Sequence, residues 1–250
     1  MKSDRPSGPL RAESGSRGIS RRQVLAGIGA LSVAGLAGCA APAAIVRPSA
    51  SAPQVRVGDA WRYRQVNRYN GLGLGETTMR VTSVAPQLRV AVSGWGAPPD
   101  GTEEIHAGPW NVLQEPAYDM LQRFETPQPL LPAQLQAGAA VRYSGRYRVP
   151  GLDESFEWHA WADALRWEET TVPAGRFETL WIQRRIAFRH SDLWRTQCER
   201  HETLWYAPAV NRWVRREWTG TYRRYSLERN ILLREDWVAS ELVDYAPARG

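Results

Sequence analysis

Two cysteines in 250 residues, Cys39 and Cys198, permit at most one disulfide, so no disulfide framework supports this chain. No apolar run approaches the roughly 20 residues that a helix needs to cross hydrocarbon; residues 26–38 are the longest and fall well short. Catalytic signatures are missing too: there is no G-x-S-x-G, no H-E-x-x-H and no P-loop. Gly71-Leu72-Gly73-Leu74-Gly75 lacks the strand-to-helix setting of a phosphate cradle and reads as a hairpin tip. Glu103-Glu104 and Glu168-Glu169 are adjacent carboxylates, which a strand turns to opposite faces, so they read as solvated charge and not as an acid–base pair. His190, Cys198 and His201, with Glu202, form one constellation of zinc-ligand types, but only Cys198 and His201 have the close spacing of a structural site. No metal ligand is assigned, and Cys198 reads as a buried, inert thiol. His106 and His159 have no partner recognisable in sequence. These absences predict a protein without catalytic residues or cofactor.

What is present starts with an export segment. Residues 1–19 are polar and rich in Ser, Gly and Arg; Ser20-Arg21-Arg22-Gln23 and an apolar run follow, ending in Leu36-Ala37-Gly38-Cys39. That ending resembles the lipobox of bacterial lipoproteins, in which the Cys receives lipid after cleavage. The resemblance implies an acylated Cys39, with palmitate among the expected chains, and contact with the membrane through that anchor. Arg21 and Arg22 resemble the twin-arginine motif, although Val24 stands where Phe is favoured; a general secretory signal with a basic region stays open as well. Ala40 is not the Asp that favours inner-membrane retention, which points to the periplasmic side of the outer membrane. The division is residues 1–38 as signal, 39–54 as a lipid-anchored flexible tether, and 55–250 as one domain. With Cys39 acylated, no intramolecular disulfide remains possible.

Export also explains the charge. Of the net +6, residues 1–38 contribute +4, leaving 26 basic and 24 acidic residues in the mature chain. A nucleic-acid partner is not expected.

The remainder alternates with strand period. In 141–149 apolar or small residues take the odd positions; Leu180, Ile182, Ile186 and Phe188 share a face that Arg184 interrupts. Trp61 and Tyr63 mark a first strand, Met79 and Val81 a second, Leu88, Val90 and Val92 a third. All 12 Trp follow residue 60 and suit half-buried pleated surfaces. Residues 111–124 could hold one short helix despite Pro116, and 226–245 reads as a closing strand, with a helix as the alternative. Pro173 and Gly175 fit a tight turn, and Asn211 falls where a left-handed residue is useful. The expected fold is all-β: a curved antiparallel sheet or incomplete β-barrel.

Gly58-Asp59-Ala60-Trp61-Arg62-Tyr63, Val172-Pro173-Ala174-Gly175-Arg176-Phe177, and Thr203-Leu204-Trp205-Tyr206-Ala207-Pro208 followed by Arg212-Trp213-Val214 occur in that order. Together they resemble bacterial periplasmic β-sheet proteins of uncharacterised role that carry VPAG-x-F and WYAP-x-V-x-x-W-V segments. Asn211 replaces their usual Gly. These motifs are turns, and they imply a fold more than an activity. A looser architectural similarity links a lipid-anchored, Trp-rich sheet to the lipoprotein-localisation (Lol-type) carriers, whose curved half-barrels hold acyl chains.

Charge is uneven along the domain: residues 176–234 hold 13 Arg against six acidic residues, interleaved with aromatics. Two functions follow. In the first, a concave face built from Trp61, Tyr63, Trp158, Trp181 and Trp205 binds a lipid or other hydrophobic ligand, while Arg184 and Arg215 at the rim meet an anionic head group. In the second, the arginines are the solvated side of strands and the protein is a non-catalytic scaffold contacting another envelope component. An apolar cavity of about 300 Å³ or more separates the two. Oligomeric state is not encoded in any motif.

Overall fold

Period-two alternation, interrupted by tight turns, produces antiparallel strands joined mainly by short connections. A computed structural model describes residues 48–116, 118, 120–224 and 231–248. In chain order the strands are β1 (Ala60–Asn67), β2 (Gly73–Ser83), β3 (Leu88–Gly94), β4 (Thr102–Gly108), β5 (Asn111–Glu115), β6 (Gln122–Pro129), β7 (Ala140–Arg148), β8 (Ser155–Val172), β9 (Gly175–Phe188), β10 (Arg195–Ala207), β11 (Arg212–Arg224), β12 (Ile231–Arg234) and β13 (Val238–Ala246). Successive strands from β1 to β11 pair as a meander; β11 also pairs with β13, and β13 returns to β1. Twelve strands thus close a barrel, while β12 extends the far end of β11 outside that ring. Closure removes most of the free edges that an open sheet would carry. The seam between β6 and β7 is short, with Arg123 opposite Arg148 and Phe124 opposite Tyr147.

The turns behave as their residues require. Val172 pairs with Gly175 across Pro173-Ala174, and Gly175 takes φ +131°, a conformation open chiefly to glycine. After β10 a single 3-10 turn (Pro208–Val210) ends at Asn211, whose φ of 54° and ψ of 19° are left-handed, as expected. Residues 111–124 differ from the helical expectation: they are β5, a loop through Pro116 and Tyr118, and the start of β6. The closing strand expected in 226–245 is β13, preceded by β12.

The meander gives the barrel two unlike ends. One end is plugged: Trp110, Leu130, Leu131, Leu135 and Val210 are buried there, and Trp61, Trp110 and Trp213 meet edge to face at 5.4 to 6.0 Å. The chain enters at this end. Ala50 N–H donates to Leu135 O at 2.9 Å, and Gln54 N–H donates to Asn211 Oδ1 at 2.9 Å, so residues 50–54 lie against the barrel. The other end is open. Arg21, Arg22 and Cys39 lie outside the described residues.

Candidate functional site

Inward positions on the β7–β9 side are aromatic. Tyr147, Phe156, Trp158 and Phe188 are buried together, with ring centroids 5.0 to 5.5 Å apart from Tyr147 through Trp158 to Phe188. Ala160, Ala162, Ala164, Leu180, Ile182 and Leu204 continue the apolar lining. Opposite them the interior is charged. Arg212 Nη2 donates to both oxygens of Glu104, while its guanidinium carbon lies 4.2, 4.5 and 5.2 Å from the rings of Trp213, Trp110 and Trp61. His106 Nε2 stands 3.3 Å from Glu104 Oε2. Nearby, Glu202 accepts from Arg184, Arg216 and the Tyr118 hydroxyl, and Arg216 also donates to Glu115. Arg200 pairs with Glu235 at 2.6 and 2.9 Å between the rings of Tyr118 and Phe188. Gly220 makes room for that pair, since a Cβ there would collide with the Glu235 carboxylate and Arg200 Cγ.

Electrostatics follows from this pairing. Burial opposes ionisation of Glu104, but Arg212 and His106 outweigh it and hold the carboxyl well below its ordinary range. Glu202 is lowered likewise: burial is overcome by Arg184 and Arg216. Arg216 is held well above its usual value, burial being outweighed by Glu115 and Glu202. Burial pushes the Tyr118 and Tyr206 hydroxyls up, so both stay protonated. This arrangement ties the barrel wall together through β4, β5, β9, β10 and β11.

Two corrections follow. Glu104 is not solvated as its pairing with Glu103 suggested; only Glu103 faces out, bonded to Arg89. Arg184 is not a rim residue but 2% exposed and ion-paired to Glu202. The signal was present in sequence, because Arg184, Arg200, Glu202 and Arg216 all fall on the apolar phase of their strands.

Trp61, Tyr63 and Trp158 line the interior, whereas Trp181, Trp205 and Arg215 do not join them. The latter form an outward ladder: Arg166 opposite Trp181, Trp181 opposite Trp205, Trp205 opposite Arg215. Arg166 stacks 3.7 Å above Trp181 and Arg215 4.8 Å above Trp205, whose Nε1 donates to Glu168. The face shared by Leu180, Ile182, Ile186 and Phe188 already puts Trp181 on the other side of β9, and the bulge between Ala164 and Arg166 resets the phase of β8 opposite it.

His201 is split from His190 and Cys198, which border one pocket. Cys198 is buried with its thiol directed to Arg195 O, while His201 faces out beside Glu199. Among the described residues no group of three or more His, Cys, Asp or Glu is disposed to hold a metal ion.

Free space inside is small. A cavity of about 80 Å³ lies between Tyr63, Met79, Val92, Trp213 and Arg216, far below the ~300–1,000 Å³ of ligand pockets. Trp95, Tyr118 and Trp218 border both this cavity and a wider mouth of about 360 Å³ at the open end. Arg195, Arg200, Tyr222 and Arg234 complete the mouth, with Glu235 and Asp236 as its acids. This aromatic and arginine mouth is the candidate site; Arg195, Arg200, Trp218, Tyr222 and Arg234 come from the basic, aromatic stretch 176–234, although none of them was singled out as a ligand residue.

The outward wall carries cross-strand ion pairs, Arg62–Glu76, Arg89–Glu103, Arg142–Asp163 and Arg185–Glu199, where a membrane-spanning barrel has an apolar band. Among the described residues no helix is long and apolar enough to cross a membrane.

No protein-family model and no curated protein matches the chain. Two solved structures are similar to it: a candidate lipoprotein from Parabacteroides distasonis, 14% identical with a TM-score of 0.48, covering 80% of this chain and 100% of that one; and a candidate exported protein with a YmcC-like fold from Bacteroides fragilis, 13% identical with a TM-score of 0.44, covering 77% and 97%.

Proposed function

We propose that the chain is an exported lipoprotein of the bacterial cell envelope, acylated at Cys39 and held on the periplasmic side of the outer membrane. Its barrel serves there as a non-catalytic binding module with the mouth as ligand site. The observation carrying this reading is the opposition of tether and mouth. Residues 50–54 dock at the plugged end, while the mouth opens at the other. Residues 40–47 can span no more than about 29 Å, so acylation at Cys39 would keep the plugged end within that distance of the membrane.

The mouth suits an anionic amphiphile: arginine for the head, the faces of Trp95 and Trp218 for a short apolar part. With about 80 Å³ behind the mouth, a whole acyl chain is not enclosed. The filled interior favours a second reading, a scaffold whose aromatics serve packing alone.

Native mass spectrometry of the mature protein, purified from envelopes, tests this. A stoichiometric bound molecule, lost in Trp95→Ala and Arg234→Glu, supports the binding module. A clean mass, with no quenching of Trp fluorescence by a panel of anionic amphiphiles, leaves the scaffold. The same spectra report the anchor, because an unacylated N-terminus would sink that part.

A further inference from the structure

Beside the mouth, β10, β11 and β12 run on as a three-stranded lip. Arg224 lies opposite both Arg195 and Ile231, and Arg223 opposite both Thr196 and Leu232. At the turn into β10, Leu193 and Trp194 are 69% and 58% exposed; on β12, Ile231 and Leu232 are 47% and 58% exposed. Soluble proteins scatter such side chains singly. Here four large apolar residues are exposed together at one end of the sheet, two in the turn before β10 and two at the start of β12.

Cations stand among them. Arg223, Arg224 and Arg234 form no ion pair within the described residues, whereas Arg184, Arg200, Arg212 and Arg216 inside the barrel are all paired. Projecting apolar tips offer little to a protein partner that presents no cleft. They suit the interfacial zone of a bilayer, where Trp and Leu seat at headgroup depth and arginine meets lipid phosphate. We propose that the lip formed by Leu193, Trp194, Arg223, Arg224, Ile231 and Leu232 docks on an anionic bilayer surface. The chain enters the barrel at the opposite end, so this contact is separate from the one made through the tether. Only this last point rests on acylation at Cys39.

Residues 40–250 contain the whole described core and lack the acylated Cys. They are floated with vesicles of phosphatidylcholine, alone or with about a third phosphatidylglycerol. The expected result is roughly tenfold more protein on the anionic vesicles, declining with added salt. Arg223→Glu/Arg224→Glu and Leu193→Ser/Trp194→Ser each abolish the excess while circular dichroism stays unchanged, and Trp95→Ala in the mouth leaves it intact. Equal flotation on both vesicle types, or an excess that survives both lip variants, overturns the proposal. Dimers in sedimentation that Leu193→Ser/Trp194→Ser dissociates, without anionic flotation, overturn it too and identify a second copy as the occupant.

Discussion

Arg212 Nη2 reaches both carboxylate oxygens of Glu104, at 3.0 and 2.7 Å, although 108 positions separate the two in the chain. The pair ties β4 to β11 across the interior, and both side chains are almost wholly buried. Glu104→Leu strands a guanidinium among three indoles and is expected to lower unfolding free energy by about 3–5 kcal/mol. Glu104→Leu/Arg212→Met removes the charge with its partner and recovers most of that loss. Urea midpoints of parent, single and double variants check this; a single variant as stable as the parent refutes the dependence.

Acid should act through the same network. Glu104 and Glu202 are lowered in the folded state, so each stabilises the protein fully above the unfolded glutamate value. That contribution fades as pH falls from about 4.5 toward the folded values. Denaturant midpoints are therefore expected to vary little between about pH 7 and 5 and to fall steeply below about 4.5. A midpoint held constant down to about pH 3 would contradict the ion-paired interior.

Asn211 offers a backbone test. Its left-handed conformation follows the Pro208–Val210 turn, and its side chain accepts from Gln54 while its carbonyl accepts from Trp110 Nε1. Asn211→Gly relieves the backbone but drops the Gln54 bond, for a net change within about 1 kcal/mol. Asn211→Val loses both and should cost about 2 kcal/mol or more. Thermal melts that rank the two variants in the reverse order would refute the assignment.

Cys198 should be a slow thiol. Burial pushes it up to about 11, and its sulfur is directed to a backbone carbonyl. Labelling with a disulfide reagent near pH 8 is expected to run at least about 100-fold slower in the native chain than in denaturant. Comparable rates would mean that the β10 end opens readily.

The strands and turns were legible because their cues are local. Trp61 and Tyr63, the Val172–Gly175 turn and the left-handed Asn211 each depend on a few neighbouring residues. The helix expected in 111–124 failed for a related reason: Glu115 and Gln122 are polar yet buried, which erases the alternation that would have shown two strands. Barrel closure depends on β11 holding partners on both edges, a fact no segment carries by itself. The charged interior was hidden by the habit of placing charge outside. Glu202 and Arg216 look solvated singly and become core only as a pair. The mouth unites Trp95 from the loop after β3 with Arg195 and Arg234 of the basic 176–234 stretch, so its composition was hinted at in sequence while its assembly was not.

The lead-in at the plugged end also sets how the molecule bears load. Tension on a tethered N-terminus would first strain the Ala50–Leu135 contact and then pull along the axis of β1. That strand lies between β2 and β13, paired to both over nearly its whole length. Force along the axis shears all those bonds together instead of unzipping them one by one, so β1 is mechanically among the hardest strands to extract.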